Sequence, residues 1–185
     1  MRTATVTRRQ FKREPLTDTE YNRLIQSCQT AEERLVILAL LDTGLRVAEL
    51  AGLKADQIEW QALRAILHGK GGKRRVVPLT TRVVSLLEPR LLHLGGFGMG
   101  VRKIQLLVKA VANRAVITKS VTPHVLRHTF AIRSLQAGVS IRALQEVLGH
   151  EDLQTTAIYL RMTPEEALRE FRQKVPGYQR GGSDG

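Results

Sequence analysis

An uninterrupted apolar run, LVILALL at residues 35–41, most constrains how this chain can fold. It is too short to span a bilayer, which takes about 20 apolar residues. The surrounding segment AEERLVILALLDTG therefore predicts a strongly apolar helix. Gly44 is placed to end it, because glycine accepts the left-handed conformation that often follows a last helical turn. At 185 residues, the chain is expected to form one compact domain with a substantial core.

Capping signals and helical periodicity predict further helices on both sides of that segment. Thr17, with Glu20 three residues later, forms a capping box that starts a helix in LTDTEYNRLIQSC. The stretch LRVAELAGL predicts a short helix with Leu45, Ala48 and Leu53 toward the core. Helical patterns continue over 81–93, 101–116, 123–137, 140–148, 153–161 and 164–173.

Two β-prone runs interrupt this helical pattern. ALRAIL at 62–67 and RRVVPL at 74–79 flank the glycine-rich stretch HGKGGK, and this arrangement predicts a β-hairpin. A later stretch, GGFGMG at 95–100, predicts a flexible loop. The predicted fold class is therefore mainly α (α+β), a helical domain with a small antiparallel β-hairpin or sheet.

The charge balance favours a polyanionic partner. Lys and Arg number 29 against 17 Asp and Glu, a formal net charge of +12, so DNA, RNA or an acidic membrane surface would be attracted. Aromatic residues make up only 4%, which disfavours a binder built on stacked bases. Cys28 is the only cysteine. An internal disulfide and a cysteine-based zinc site are therefore excluded, and a reducing cell interior fits best.

Cationic and titratable side chains gather at the start of one predicted helix, TPHVLRHTF. Thr122 suits the N-cap, and a proline follows it at the first helical position. His124, Arg127 and His128 then stand at i, i+3 and i+4 and share one helix face. Such a cluster at an exposed helix start is expected to face an anion. A zinc site is disfavoured, because the two histidines lack the glutamate of a metalloprotease helix.

Three further segments contain candidate functional residues. When each segment is taken alone, an ordinary structural role is favoured over a functional one. Arg46 in TGLRVAEL could be a surface arginine or a partner of Glu49 three residues on. Lys70 in HGKGGKRR could lie at a solvated hairpin tip. A Walker phosphate loop is excluded there, because no Ser or Thr follows its second lysine. His150 and Tyr159 in LGHEDLQTTAIYL could be a capping histidine and a core tyrosine.

Taken together, these residue types indicate phosphodiester chemistry. Arginine forks hold phosphate oxygens bidentately and stabilise the charge of a transition state. Tyrosine can attack phosphorus, histidine carries protons near neutral pH, and lysine can protonate a departing alcohol oxygen. The cationic side chains do the electrostatic work of a metal ion. A metal-dependent nuclease is the least favoured alternative, since no paired carboxylates accompany the histidines.

Four segments, TGLRVAELAGL, GKGGKRRVVPL, TPHVLRHTFA and LGHEDLQTTAIY, occur in this order over residues 43–159. They resemble the catalytic domain of the tyrosine recombinase (phage integrase) family, especially its Xer-like branch. The resemblance implies six catalytic residues: Arg46 as the first clamp arginine, Lys70 as the hairpin lysine, His124 and Arg127 of the H-x-x-R motif, His150 of the second box, and Tyr159 as the nucleophile. His128 is not in this set and is expected to pack or to support its neighbours, with a DNA phosphate contact as the alternative. Glu49 fits the family's acidic residue after the first arginine, as a structural partner.

The implied activity is site-specific DNA recombination or integration by transesterification. The tyrosine oxygen attacks the scissile phosphate, a 3′-phosphotyrosyl bond forms and a 5′-hydroxyl leaves; a partner strand's 5′-hydroxyl reverses the step. No cofactor or metal is implied, because the covalent intermediate keeps the bond energy. Lys70 is the implied general acid, and His124 is our choice for the acceptor of the tyrosine proton. The implied partner is double-stranded DNA, with self-association on it (a tetrameric synapse in the family), no membrane, and a cytoplasmic, nucleoid-associated location.

The expected organisation is a basic linker or arm over 1–15, a catalytic domain over 16–175 and a disordered tail over 176–185. Family members usually carry a core-binding domain before the catalytic domain, and none of these three expected segments corresponds to it.

Two alternatives to the recombinase function stay open. One is a type IB topoisomerase-like nicking-closing enzyme. The other is a non-catalytic basic DNA-binding module, which explains the charge but not the ordered set of site residues.

Overall fold

A computed structural model describes residues 14–68 and 74–149 of the chain. The predicted helices at 153–161 and 164–173 and the predicted tail lie outside the described residues, as do residues 1–13 of the predicted arm. In chain order, the described elements are helices α1 (Asp18–Gln26), α2 (Ala31–Thr43) and α3 (Val47–Ala51), a 3₁₀ turn (Ala55–Gln57), strands β1 (Ile58–Glu59), β2 (Arg64–His68) and β3 (Arg74–Pro78), and helices α4 (Thr81–Leu94), α5 (Val101–Arg114), α6 (Pro123–Gln136) and α7 (Ile141–Leu148).

Helix α2 forms the centre of the described core. Every residue from Leu35 to Leu41 is buried, because a helix that is apolar all round has no side that water would favour. Helices α1, α3, α4, α5 and α6 all pack against it. The helix ends at Gly44, whose φ of 63° is left-handed. The predicted apolar helix and its glycine end are both confirmed.

The predicted hairpin is confirmed and belongs to a three-stranded antiparallel sheet of order β1-β2-β3. Its inner face carries Ala65, Leu67 and Val77, which are buried. Ala65 pairs with Val77, and Leu67 pairs with Arg75. Helix α7 packs against β3, so the hairpin lies next to the last described helix. The mainly α class with a small antiparallel sheet is confirmed.

The predicted helix starts at Thr17 and Thr122 are also confirmed. Thr17 and Glu20 form the capping box, with Glu20 N–H donating to the Thr17 hydroxyl at 3.2 Å and Thr17 N–H donating to the Glu20 carboxylate at 2.8 Å. Thr122 accepts from the Val125 N–H at 3.3 Å, with proline at the first helical position. These bonds satisfy orphan donors at the starts of α1 and α6.

Two local predictions need correction. Leu45 and Leu53 are buried as predicted, but Ala48 is exposed, and Leu50 fills the core position of α3 instead. The GGFGMG stretch was predicted to be a flexible loop, yet it is anchored to the core. Phe97 is buried at 1% exposure, and its N–H donates to the Leu53 carbonyl at 2.9 Å. The apolar side chains between the glycines hold this loop in place.

Candidate active site

Arg46 lies at a tight junction between α2 and α3. It is the N-cap residue of α3 and follows Gly44, the end of α2, by two residues. Its backbone N–H donates to Glu49 Oε2 at 2.7 Å, and its Nη1 donates to Glu49 Oε1 at 3.1 Å. The i+3 partnership considered for Arg46 is therefore present. It satisfies a donor at the start of α3 and restrains the Arg46 side chain.

A second arginine, Arg75 of β3, binds the same carboxylate. Its Nη1 and Nη2 donate to Oε1 and Oε2 of Glu49 at 2.6 Å each. Burial by itself would raise the pKa of the Glu49 carboxyl. The hydrogen bonds from Arg75 and Arg46, together with the charge of Arg75, outweigh this effect and hold that pKa below its usual range. Glu49 is therefore an ionised carboxylate shared by two arginines.

Arg127 is buried, at 6% exposure, and joins the ends of two helices. Its Nη1 donates to the carbonyl of Gly44, and its Nη2 donates to the carbonyl of Leu148 at 2.7 Å. These carbonyls lie at the C-terminal ends of α2 and α7, where the helix dipoles favour a cation. Because Gly44 precedes Arg46 by two residues, these bonds bring the two predicted clamp arginines into one region.

The three cationic side chains of α6 differ in exposure. His124 is exposed, whereas Arg127 and His128 are buried. They share a helix face as predicted, but the expectation that the whole cluster lies at an exposed helix start is wrong. The reason is that α2 and α7 both pack on α6 and cover its second turn. Burial of His128 at 8% exposure favours its packing role over a contact with DNA phosphate.

A groove of about 750 Å³ lies beside His124. One wall is the exposed face of α5, and the other is the segment 117–125, which leads into α6; Val47, next to Arg46, also lines it. Its basic or amide-bearing lining residues are Arg102, Gln105, Lys109, Asn113, Lys119 and His124. The groove thus presents positive charge next to the arginine region, and this charge suits a polyanion.

Lys119 also ties the groove to the start of the described chain. Its Nζ donates to the carbonyl of Pro15 and lies 2.7 Å from Glu20 Oε2. Leu16 N–H donates to Thr129 Oγ1 at 2.9 Å, which fixes the entering chain on α6. The segment that precedes α1 therefore reaches the domain next to the groove wall.

Three of the six predicted catalytic residues, Lys70, His150 and Tyr159, lie outside the described residues. The flanks of two of them are described. His68 ends β2 and Arg74 begins β3 on either side of the hairpin turn. Gly149, which precedes His150, has a backbone so placed that a Cβ on it would lie 3.8 Å from Arg46 Nη1. The described part thus holds Arg46, His124 and Arg127, together with residues that flank Lys70 and His150 in the chain.

Two contributors to this region were not predicted from the sequence. Arg75 has a signal in the period of two along a strand, since it must face the same side as the buried Val77. The α5 wall has a helical signal, with Arg102, Gln105 and Lys109 at i, i+3 and i+7. Neither pattern names a ligand by itself, and each becomes informative only once the neighbouring elements are in place.

Within residues 14–68 and 74–149, no group of three or more His, Cys, Asp or Glu side chains could hold a metal ion. No helix in this same part of the chain has the length and apolar character to cross a membrane.

Comparison with known proteins identifies related chains. The family model described as "Phage integrase family" matches residues 14–94 and 98–166. "Tyrosine recombinase XerD" of Mycobacterium tuberculosis is 38% identical over 159 residues, which is 76% of this chain and 51% of that protein. "Tyrosine recombinase XerA" of Thermococcus kodakarensis is 38% identical over 177 residues, or 86% of this chain and 62% of that protein. The chain therefore spans about half to two thirds of the relatives that it matches.

Solved structures show the same fold. The crystal structure of XerA recombinase superposes with a TM-score of 0.75 at 29% identity and covers 88% of this chain and 65% of that one. The site-specific recombinase XerH, bound to a palindromic difH substrate in a post-cleavage complex, superposes with a TM-score of 0.71 at 22% identity and covers 86% of this chain and 53% of that one. At that lower identity, the XerH likeness concerns the fold alone.

Proposed function

This chain belongs to the phage integrase family, and from that premise we propose that it is the catalytic domain of a site-specific DNA recombinase. The observation that carries the proposal is the meeting of Arg46 and Arg127 at the end of α2, with His124 on the adjoining basic groove. Two arginines and a histidine beside a cationic groove suit a phosphodiester, whose charge increases in the transition state.

The proposed reaction is a transesterification that conserves the number of phosphodiester bonds. Tyr159 Oη attacks the scissile phosphorus, the bond from phosphorus to the 5′-oxygen breaks, and a 3′-phosphotyrosyl bond forms. Lys70 donates the proton that the departing 5′-oxygen takes up, and His124 accepts the tyrosine proton. A 5′-hydroxyl of a partner strand then attacks the phosphotyrosyl group and regenerates Tyr159.

Arg46 and Arg127 share one role in this proposal, which is to bind the scissile phosphate. Arg46 and Arg127 hold the non-bridging oxygens of the scissile phosphate, where their always-charged guanidinium groups replace a metal ion. His150 adds a donor to the same phosphate. The Arg127 bonds to the carbonyls of Gly44 and Leu148 support its role, because they restrain the side chain before DNA arrives and so reduce the reorganisation needed in the reaction.

We also propose the setting of this reaction. Residues 16–175 form the catalytic domain, residues 1–15 are a basic linker or arm, and 176–185 are a disordered tail. The substrate is double-stranded DNA in the cytoplasm, where the protein associates with the nucleoid and with further copies of itself. The net charge of +12 supports this, since it attracts a polyanion over a long range.

Covalent trapping tests the proposal. The protein is incubated in chelator with supercoiled plasmid and with nicked duplexes that carry candidate sites, quenched with detergent, and examined for DNA-linked protein. We expect an adduct from the wild type and from the matched control Tyr178→Phe, and none from Tyr159→Phe. An adduct that persists in Tyr159→Phe, or that forms only when a divalent metal is supplied, would contradict the mechanism.

The same experiment separates the two alternatives. Relaxation of plasmid without a specific site, with no joining between duplexes, would favour a type IB topoisomerase-like nicking-closing enzyme. DNA binding that is equal in the wild type and Tyr159→Phe, with no adduct on any substrate, would favour a non-catalytic DNA-binding module. Fusing a core-binding domain before residue 1 then shows whether cleavage needs that domain.

A further inference from the structure

The ion pair between Arg75 and Glu49 joins two elements far apart in the chain. Arg75 lies on β3 and Glu49 on α3, 26 residues earlier. Arg75 Nη1 donates to Glu49 Oε1 and Nη2 donates to Oε2, each at 2.6 Å. The side chains are only 13% and 20% exposed. A fork-to-fork pair of this kind fixes direction as well as distance, because both groups are planar.

The carboxylate held by Arg75 is the one that holds Arg46. Glu49 Oε2 accepts from the Arg46 backbone N–H at 2.7 Å, and Oε1 accepts from Arg46 Nη1 at 3.1 Å. Each oxygen of Glu49 therefore bonds to both arginines. Without Arg75, the Glu49 side chain would regain freedom about its χ angles, and Arg46 would lose a fixed partner.

The position of Arg75 is unfavourable for a residue whose role is only to stabilise the fold. It faces the inner side of the sheet opposite Leu67. Its Nε is buried and has no hydrogen-bond partner among the described residues. Removing a charged pair from water opposes folding, and an unsatisfied buried donor opposes it further. An apolar side chain would suit this face better, so the arginine is best explained by what it holds.

Arg75 also touches the segment that leads to His150. A Cβ built on Gly149 would lie 3.4 Å from Arg75 Nη1 and 3.8 Å from Arg46 Nη1. Gly149 has a φ of 85°, which residues with a side chain rarely adopt. The backbone at the end of α7 therefore passes close to both guanidinium groups, which places Arg75 between the hairpin, Arg46 and the end of α7.

We propose that Arg75 is a positioning residue for the reaction: it orients Arg46 toward the scissile phosphate through the shared carboxylate of Glu49. The inference rests on the proposed function, in which Arg46 binds that phosphate. Arg75 itself touches neither DNA nor the reacting atoms. Its effect on the reaction is expected to pass through the geometry of Arg46.

Single-turnover cleavage of three substrates tests this route. One has a normal scissile phosphodiester, one a methylphosphonate that lacks a non-bridging charge, and one a sulfur in place of the 5′-bridging oxygen. Arg75→Gln is expected to slow cleavage of the phosphodiester about 10- to 100-fold. It should slow the methylphosphonate much less, because that linkage has less charge for Arg46 to stabilise. The matched control Arg74→Gln, an exposed neighbour on β3, should cleave all three at wild-type rates.

The sulfur substrate distinguishes an effect of Arg75 on Arg46 from an effect of Arg75 on the general acid Lys70. A thiolate leaves without needing a proton, so it bypasses the proposed general acid. If this substrate restores the rate of Arg75→Gln, then Arg75 acts on Lys70 through the hairpin, and the proposal is wrong. An equal loss on all three substrates would also overturn it, because that outcome indicates a general structural role.

An NMR measurement, which does not depend on DNA cleavage, tests the positioning role of Arg75 separately from the proposed recombinase function. In ¹⁵N-arginine NMR spectra of the whole chain, with Arg46→Lys to assign the signal, Arg46 Nε–H should be ordered in the wild type and in Arg74→Gln. It should become mobile in Arg75→Gln and in Glu49→Gln, and no more mobile in the double variant. If Arg75→Gln does not fold, Arg75→Lys replaces it, since lysine keeps the charge but not the fork. An ordered Arg46 in the folded variant overturns the positioning role whether or not the wild type cleaves DNA.

Discussion

At the scale of single residues, Gly44 is constrained in two ways. Its φ is left-handed, and a Cβ there would lie 2.4 Å from Phe130 Cδ1 and 3.0 Å from Leu148 Cδ2. We expect Gly44→Ala to lower the free energy of unfolding by about 2–4 kcal/mol, from backbone strain and overpacking together. Urea denaturation measures this loss.

Gly95 provides the matched control for Gly44. It also ends a helix at a left-handed φ, of 70°, but a Cβ there would meet nothing within 4 Å. Gly95→Ala should therefore lose only the strain, about 1 kcal/mol. Equal losses at the two glycines would show that the packing of Phe130 against Gly44 contributes nothing.

The backbone of Val116 is strained. It follows α5 at a φ of 52°, which a β-branched residue rarely adopts, and its side chain is 70% exposed. We expect Val116→Gly to raise the free energy of unfolding by about 0.5–1 kcal/mol, because relief of strain exceeds the added freedom of the unfolded chain. Val139→Gly, at an exposed valine whose φ is not positive, should instead destabilise the protein in the same denaturation assay.

Single residues also show where prediction from sequence stops. Gly44, Thr17 and Thr122 were predicted correctly, because a cap depends on neighbours within about four positions. Arg75 was not, because its partner Glu49 is 26 residues away; the strand period that separates Arg75 from Arg74 gives the face of Arg75 but not its partner. The burial of Arg127 was missed for the same reason, since the carbonyls that it binds belong to two other helices.

At the scale of elements, the start of α6 sets the position of His124. Thr122 accepts from the Val125 N–H, and Thr30 makes the equivalent bond to Glu33 N–H at the start of α2. Each Thr→Ala change should cost about 1 kcal/mol of stability. Only Thr122→Ala should also slow DNA cleavage, since it loosens the turn that carries His124. Thermal unfolding combined with single-turnover cleavage checks this, and an equal effect of Thr30→Ala on cleavage would refute it.

The junction of α3 and β3 should respond to pH through Glu49. Because the pKa of Glu49 is lowered in the folded protein, its contribution to stability is complete above the unfolded value of about 4.3 and is lost as the pH falls through the folded pKa. Glu49→Gln should reduce the free energy of unfolding by about 1–3 kcal/mol at pH 7. The difference from wild type should narrow below about pH 4.

Denaturation of both proteins from pH 7 to pH 3 measures that difference. Glu20 and Glu33 also have lowered pKa values, but they are present in both proteins and largely cancel in the comparison. A gap between wild type and Glu49→Gln that stays constant over this range would mean that the ionisation of Glu49 does not stabilise the junction.

Elements differ in how clearly the sequence marks them. Helices of several turns and the two longer strands were predicted because their periodicity repeats within the segment. Strand β1 has only two residues, Ile58 and Glu59, which is too short for any period, and it exists because β2 offers it an edge. The loop around Phe97 resembles a flexible linker in composition, yet its aromatic side chain finds a place in the core.

At the scale of the whole molecule, the hydrophobic core and the basic groove lie in different parts of the described chain. The described core is built around α2, and several basic residues are paired, such as the exposed Arg82 with Asp42 at 2.5 Å and the partly buried Arg90 with Glu32 at 3.2 Å. On the groove wall, by contrast, Arg102 and Lys109 form no ion pair within the described part of the chain. These two side chains therefore leave positive charge on the groove wall, where a polyanion would bind.

The salt dependence of DNA binding tests this arrangement. Each phosphate that a lysine neutralises releases counterions, so the slope of log K against log salt reports the number of such contacts. Lys109→Gln should weaken binding of any duplex and reduce the magnitude of that slope by about 1. Lys103, also on α5, binds Glu32 at 3.2 Å and does not line the groove, so Lys103→Gln should leave the slope unchanged. Fluorescence anisotropy with a labelled duplex, over about 50 to 200 mM salt, measures both. If Lys103→Gln reduced the slope as much as Lys109→Gln, DNA would bind across α5 without regard to the groove, and the groove could not be the surface that brings the phosphate to Arg46.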